Sequence, residues 1–199
     1  HADGQVVSFL TQKTNLKEFN WICALNSFLP KDIRVLDAEF VDVDFSARRS
    51  AIFREYWYRI INAKSISALW FRYASHYFYE TLDIGLLQEY ANMLLGENDF
   101  TAFSSINDVS NSKKRYIRSV KFEKDGDLIT FKIIGNAFLQ HMIRIIIGTI
   151  LELHKDKRDP SDIKKILLSK DRSLAGKTYY PKGLCFKRVY YKGDLLPNY

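Results

Sequence analysis

The sequence has few cysteines and none of the short motifs that mark common enzyme classes. Its 199 residues include only Cys23 and Cys185, which stand far apart and without metal-ligand spacing. Two isolated thiols predict reduced core residues in a cytoplasmic protein rather than a disulfide framework or a zinc site. The glycine-rich phosphate loop, HExxH and GxSxG are also missing, so nucleotide-binding and common hydrolase functions have no support.

Long hydrophobic runs are missing as well. The longest apolar stretch is shorter than the ~20 residues that a membrane helix needs, and it contains His141 and Arg144. We therefore predict no membrane span, although 47% of the residues are hydrophobic. A chain of this length and composition can bury one substantial core or two small ones.

Acidic residues are outnumbered by basic ones. Asp and Glu total 23 against 30 Lys and Arg, which gives a net charge of +7 and a pI near 9.3. This balance favours a polyanionic partner such as nucleic acid, although many basic proteins bind none. With 15% aromatic residues, such a partner could be held by stacking as well as by charge.

Hydrophobic periodicity predicts the first elements of an ordered series. Aromatic and β-branched residues in REYWYRII predict a strand that begins at Arg54. The following LDIGLLQEYANMLLG has apolar residues at helical spacing and Gly96 as a stop. Alternating apolar residues in IRSVKFEKDGDLITFKII then predict a hairpin that turns at Asp125 and Gly126.

The second half of the series begins with the apolar stretch after the hairpin. It predicts a helix that begins near Asn136, a good N-cap residue, and continues towards His154. A short amphipathic helix opens at Pro160, and GLCFKRVYY predicts a closing strand. The whole series reads strand, helix, strand, strand, helix, strand, with the short helix inserted before the last strand.

This order of elements is that of the split βαβ fold. We therefore predict an α+β protein in which residues 43–199 form a ferredoxin-like antiparallel sheet with helices on one face. Residues 1–42 do not contain enough elements for a complete domain. GQVVSFL and RVLDAEFVDV look like strands, and KEFNWICALNSFL between them looks like a helix. They are predicted to be the C-terminal part of a second, similar domain.

An arginine within an apolar helix is the feature that most needs an explanation. In NAFLQHMIRIIIGTI, helical spacing would place Asn136, Gln140, Arg144 and Gly148 on one narrow stripe. The arginine could extend its charge to the helix edge and into water. The stripe favours a dry cleft instead, in which Arg144 pairs with an anion and Asn136 contacts the substrate, because a buried guanidinium without a partner costs several kcal/mol.

Aromatic residues alternate along the first predicted strand. Arg54, Tyr56 and Tyr58 would share one face of the sheet. Packing against neighbouring strands is the favoured role for Tyr58. For Tyr56, which has Arg54 beside it, stacking on a nucleic-acid base is a competing role.

Two groups of basic residues could contact a nucleic-acid backbone. Arg48 and Arg49 precede the first strand in DFSARRS, where a solvated loop is the simpler interpretation. The densest positive charge lies in SKKRYIR and is the best electrostatic footprint for phosphates. Its basic residues are Lys113, Lys114, Arg115 and Arg118.

Seven blocks of the sequence together resemble the tRNA pseudouridine synthase A family. In chain order they are HADGQVVSF, LNSFLPKDIRV, DFSARRSA, REYWYRI, LLGENDFTAFSS, NAFLQHMIRIIIGTILELH and SKDRSLAGKTYYPKGLCFKRVYY. The resemblance implies an enzyme that converts uridine to pseudouridine in the tRNA anticodon stem-loop. It also implies a homodimer whose chains each hold two ferredoxin-like halves, and chemistry that needs an aspartate and neither metal nor cofactor.

The resemblance assigns roles to four residues. Tyr56 matches the tyrosine that stacks on the target base, and Arg144 matches the basic residue that pairs with the catalytic aspartate. Leu184 matches the leucine that lines the base pocket, and Arg48 matches the arginine of the FxAR block.

The sequence departs from the family pattern at the nucleophile. The catalytic aspartate belongs to an R-T-D-A-G-V-H block, of which only the histidine, His1, is present. Asp3 follows that histidine and is not its equivalent, so the 199 residues alone are expected to be inactive. A non-catalytic RNA-binding module and a dimerisation or scaffold fragment remain alternatives, although neither requires Arg144 inside an apolar helix.

Overall fold

The computed structural model describes residues 1–13 and 15–197, and the chain divides into two compact units. The larger unit combines His1–Gln5 with Ile52–Tyr199, and the smaller unit is Val6–Ala51. The domain boundary predicted after residue 42 lies within this smaller unit. That these first residues are part of a second ferredoxin-like domain stays a prediction.

Four α-helices and six strands lie within the described residues. The helices are α1 (Glu18–Phe28), α2 (Ile84–Asn92), α3 (Met142–Lys155) and α4 (Asp162–Ser169). The strands are β1 (Phe53–Asn62), β2 (Ser75–Tyr77), β3 (Gly96–Asp99), β4 (Lys114–Asp125), β5 (Leu128–Gly135) and β6 (Leu184–Tyr190). Only α1 belongs to the smaller unit.

The six strands form one sheet, in which β1 is paired on both sides. Strand β1 pairs antiparallel with β5 on one side and with β6 on the other, and β4 joins the far side of β5. The order β6-β1-β5-β4 is that of the split βαβ fold, with α2 and α3 as its two connecting helices. The predicted α+β, ferredoxin-like architecture is confirmed.

Two short strands that the sequence pattern missed extend this sheet. Strand β2 pairs with the end of β1 in parallel orientation, so the sheet is mixed rather than wholly antiparallel. Strand β3 pairs with the start of β4. The first has only 3 residues and the second reads GEND, which is poor in strand-forming residues. Their pairing depends on neighbours already in place, which local propensity does not encode.

Helices cover one face of the sheet and bury the core against it. Helix α3 is buried on nearly all sides, whereas α2 buries a single stripe that includes Leu87 and Tyr90. The facing sheet residues include Tyr58, Phe131 and Ile133, all fully buried. Burial of side chains of this size stabilises the fold by ~2 kcal/mol each. The alternation predicted for β1 and for the hairpin is therefore confirmed.

The predicted start of the long helix was wrong. Helix α3 begins at Met142, and the residue before it, His141, has a left-handed backbone with φ of 61°. Asn136 does not cap the helix, because its side-chain oxygen accepts a hydrogen bond from the backbone N–H of Tyr116 over 3.0 Å. Residues 136–141 instead form an irregular loop between β5 and α3.

The smaller unit contains the predicted helix but not the predicted strands. Helix α1 has no buried residue, and the segments 4–10 and 34–43 are irregular. An extended segment becomes a strand only when a neighbouring strand satisfies its backbone groups. Within the described part of this unit, neither segment has such a neighbour.

Candidate active site

Arg144 is half-buried in the first turn of α3, and its side chain is hydrogen-bonded to the backbone of Tyr179. Its Nε donates to the carbonyl oxygen of Tyr179 over 2.7 Å, and the N–H of Tyr179 donates to the carbonyl oxygen of Arg144 over 3.1 Å. The two Nη atoms remain as donors for another group. In residues 1–13 and 15–197, no carboxylate forms an ion pair with this guanidinium, so its anionic partner stays a prediction.

The segment that holds Arg144 lies directly against α3. A Cβ added at Gly148 would be 1.8 Å from the carbonyl oxygen of Lys177, which shows how closely the two backbones approach. Thr149 fixes the same segment, because its Oγ1 accepts a hydrogen bond from the N–H of Gly176 over 2.9 Å. The space beside Gly148 is thus filled by the backbone of Lys177.

Tyr58 links this segment to the sheet. Its hydroxyl donates to the carbonyl oxygen of Tyr180 over 2.5 Å and lies 2.6 Å from Oγ of Ser75. Burial strongly raises the pKa of this hydroxyl, while the nearby charge of Arg144 acts in the opposite direction. The phenol is therefore neutral at physiological pH, and Tyr58 is a fully buried core residue, as predicted.

Tyr56 lies on the same face of β1 and is half-buried between two other rings. Its ring meets Phe138 at a centroid distance of 5.1 Å and Phe186 at 5.0 Å, both edge to face. Burial raises the pKa of the Tyr56 hydroxyl, and the positive charge of Arg54 only partly offsets this. The side chain is thus a neutral aromatic surface and not a source of a phenolate.

Leu184 lies on β6, the strand that pairs with β1 on the side opposite β5. It opens β6, is the register partner of Tyr58, and packs half-buried against the core. The Tyr58 hydroxyl also contacts Tyr180, the residue after the Tyr179 carbonyl that Arg144 contacts, so Tyr58 connects Leu184 on β6 with Arg144 on α3. Three of the residues singled out from the sequence, Tyr56, Arg144 and Leu184, are therefore connected through Tyr58 and its strand.

Asn136 and Gln140 are held in the loop before α3, so the predicted stripe with Arg144 does not exist. The carbonyl oxygen of Asn136 accepts a hydrogen bond from Nη1 of Arg54 over 2.6 Å. The carbonyl oxygen of Gln140 accepts one from the N–H of Ser105 over 3.0 Å. A helical stripe requires regular backbone, and these two residues lack it.

Asp108 anchors this loop and was missed by the sequence reading. Its Oδ2 accepts a hydrogen bond from the N–H of Gln140 over 2.6 Å, and its Oδ1 accepts bonds from Lys113 and from the N–H of Ser110. Burial disfavours the charged form, but these hydrogen bonds outweigh it and hold the pKa of Asp108 well below its usual range. An isolated Asp in a polar loop gives no sequence signal for such a role.

The basic cluster predicted to contact phosphates divides into internal and exposed members. Lys113 is paired with Asp108, and Arg115 donates through Nη1 to the carbonyl oxygens of Ser112 and Lys114. Burial lowers the pKa of Arg115, with the charge of Asp108 opposing the shift. Lys114 and Arg118 are exposed. Only these two present their charge openly to a polyanion.

Arg48 and Arg49 belong to the smaller unit, and both are exposed. They occupy a turn in which the N–H of Arg49 donates to Oγ of Ser46 over 3.3 Å. Their predicted contacts with the substrate and with phosphates stay predictions.

The part of the chain that the structure describes contains no helix long and apolar enough to cross a membrane. Across the same residues, no three His, Cys, Asp or Glu side chains gather in a group that could hold a metal ion.

Comparison with known proteins gives one consistent result. A family model described as tRNA pseudouridine synthase matches residues 90–192. The tRNA pseudouridine synthase A of Brachyspira hyodysenteriae is 42% identical over 194 residues, which are 98% of this chain and 78% of that protein. That of Treponema denticola is 43% identical over 98% of this chain and 73% of its own length. That of Bacillus pumilus is 40% identical over 96% and 76%.

Proposed function

The chain belongs to the tRNA pseudouridine synthase A family, and we propose that it carries the uridine-binding site of an enzyme that isomerises uridine to pseudouridine in tRNA. The observation that carries this proposal is Arg144, a half-buried guanidinium on a mostly buried helix. The segment that it contacts is joined by the Tyr58 hydroxyl to the strand that carries Tyr56 and pairs with Leu184. A non-catalytic RNA-binding module would not need a guanidinium at this position, because removing it from water is costly.

The proposal extends to features that rest on the resemblance alone. We propose that the substrate is the anticodon stem-loop, that two copies of the protein form a homodimer, and that the enzyme is cytoplasmic. Neither a metal nor an organic cofactor is part of the proposed chemistry.

Arg144 would hold and activate the nucleophile. A carboxylate that attacks the ribose, or that starts cleavage of the glycosidic bond, must be ionised and oriented. Because Tyr179 holds Nε, the two Nη atoms are free to meet both oxygens of such a carboxylate. A guanidinium in this position lowers the pKa of the carboxyl group and fixes its direction.

Tyr56 and Leu184 would retain the detached base. The uracil must stay in the site while it turns and rejoins the sugar through carbon 5. The ring of Tyr56 offers a stacking face, and Leu184 offers an apolar wall that excludes water. The target base must leave its stack to reach them. Because the Tyr56 hydroxyl is neutral, it is not a candidate nucleophile.

The nucleophile itself is proposed to be the aspartate of the family's R-T-D-A-G-V-H block. No described carboxylate pairs with Arg144, so we expect the 199 residues to bind RNA without converting it. The test compares this chain with a longer protein. In the longer protein, the family's preceding strands and then R-T-D-A-G-V are joined directly ahead of His1. Conversion of uridine in an anticodon stem-loop should require the longer protein. Turnover by the 199 residues would show that the nucleophile lies elsewhere.

A further inference from the structure

An unassigned surface of exposed rings and lysines lies beside the candidate site. We define the aromatic strip as Phe71, Tyr79, Lys155, Tyr180 and Lys182. The three rings are more than half exposed, at 58%, 62% and 59% respectively. Large aromatic side chains are costly to leave in water, so a cluster of them on a surface points to a binding site.

A lysine lies over each of two of these rings. Nζ of Lys182 is 3.9 Å from the ring centroid of Phe71, and Nζ of Lys155 is 5.5 Å from that of Tyr79. Neither lysine forms an ion pair with any residue in the described part of the chain. Glu80, which follows Tyr79 in sequence, has its Oε1 engaged by His154 and Tyr77. The positive charge of the strip is therefore available to an external anion.

The aromatic strip is continuous with the backbone that holds Arg144. Tyr179, whose carbonyl oxygen accepts from Arg144, has its ring 5.2 Å from that of Tyr180. Tyr180 itself is mostly exposed, so it carries this backbone segment to the protein surface. Lys182 follows within the short turn that leads to β6 and Leu184. The strip thus runs outward from the candidate active site.

We propose that the aromatic strip binds the unpaired nucleotides that flank the target uridine. This inference rests on the proposed function, because the ligand is the same RNA. The exposed ring of Tyr180, over which neither lysine lies, can stack on an unpaired base without regard to sequence, and Lys155 and Lys182 beside the other two rings can meet the phosphates. An apolar protein surface fits less well, because covering the strip would desolvate two lysines that lack a counter-ion.

Binding measurements on single substitutions test the stacking. Tyr180→Leu should weaken binding of an anticodon stem-loop by about 10-fold, as loss of one base stack does, whereas Tyr180→Phe should bind like the wild type. Lys182→Met should lower the slope of binding against salt by about 1, and Lys124→Met, which removes the same charge at the exposed hairpin turn, should not. Thermal unfolding verifies that each variant is folded.

A double-mutant cycle decides where the strip acts. Removing the base of one flanking nucleotide in the RNA should weaken binding to the wild type but add little to the loss in Tyr180→Leu. Fully additive losses at every flanking position would overturn the proposal. An altered oligomeric state with unchanged RNA affinity would also overturn it, since the strip would then join two copies. Conversion of uridine is measured separately, so failure of the proposed function would be recognised independently of these affinities.

Discussion

The carboxylate of Asp108 accepts a hydrogen bond from the backbone N–H of Gln140 over 2.6 Å, immediately before the helix that carries Arg144. Lys113 neutralises the same carboxylate, whose side chain is only 4% exposed. Lys113, which is five positions away in sequence, and Gln140, which belongs to a distant loop, therefore both contact the buried carboxylate of Asp108. The contact with Gln140 holds the loop that leads into α3.

Substitution of two neighbouring lysines by methionine should affect different properties: stability at Lys113 and the salt dependence of RNA binding at Lys114. Lys113→Met leaves a buried carboxylate without its counter-ion and should lower the free energy of unfolding by ~3 kcal/mol, with an unchanged salt dependence of RNA binding. Lys114→Met, at an exposed position, should leave stability unchanged and lower the salt slope by about 1. Denaturant unfolding and binding across salt concentrations measure both. An unaltered stability in Lys113→Met would contradict the role of this ion pair.

Asp108 should make stability depend on acid pH. Its pKa is lower in the folded protein than its usual value, so the folded state keeps the carboxylate ionised to a lower pH than the unfolded chain does. The resulting stabilisation is fully present above the usual carboxyl pKa of ~4, and it is lost as pH falls towards the folded-state value. Asp108→Asn should therefore unfold at a lower temperature than the wild type at neutral pH, and the difference should shrink near pH ~3.

The matched control for this acid dependence is Asp125→Asn, at the exposed hairpin turn. Its melting temperature should follow the wild type across the same range. A gap between wild type and Asp108→Asn that stays constant with pH would refute the proposed linkage.

Regular elements with strong periodicity could be predicted from the sequence, and irregular ones could not. The alternation in REYWYRII and the turn at Gly126, whose φ is 56°, correspond to β1 and the β4–β5 hairpin. Helix α3 was extended too far back because Asn136 is a good N-cap residue in isolation. In the folded chain its side chain completes the end of the sheet at Tyr116 instead, a contact between positions 20 apart.

The candidate site shows the same division. Arg144 could be found because charge in an apolar helix violates local patterning, and Tyr56 because of its place in an alternating strand. Asp108 and Tyr179 gave no such signal, since one acts through a buried loop contact and the other through its backbone carbonyl. Lys113 was interpreted as a phosphate contact because charge counts do not reveal which lysine has an internal partner.

Gly148 should be intolerant of even the smallest side chain. A Cβ at this position would lie 1.8 Å from the carbonyl oxygen of Lys177, and the nearest atoms all belong to the backbone, which cannot rotate away as a side chain can. Gly148→Ala should lower the free energy of unfolding by ~3 kcal/mol and reduce activity further, because the displaced segment includes the carbonyl that holds Arg144. Gly85→Ala in α2 is the control, since its Cβ would meet only the Asp83 side chain. A Gly148→Ala protein with wild-type stability would show that the segment can move aside.

The sharpest test of the candidate site is Arg144→Met in the protein that includes the R-T-D-A-G-V block. Methionine keeps much of the length of arginine and removes the charge, so packing in the first turn of α3 should be largely preserved. The carboxylate would lose the group that orients it and lowers its pKa, and the rate of uridine conversion should fall by ~100-fold or more. Affinity for the anticodon stem-loop should change by less than about 3-fold, because a guanidinium paired with a protein carboxylate is not available to phosphates.

Arg188→Met, at an exposed position of β6, removes the same charge and should retain full activity. Single-turnover rates and binding constants for the two variants separate the catalytic role from a general loss of positive charge. Wild-type rates in folded Arg144→Met would remove this residue from the mechanism.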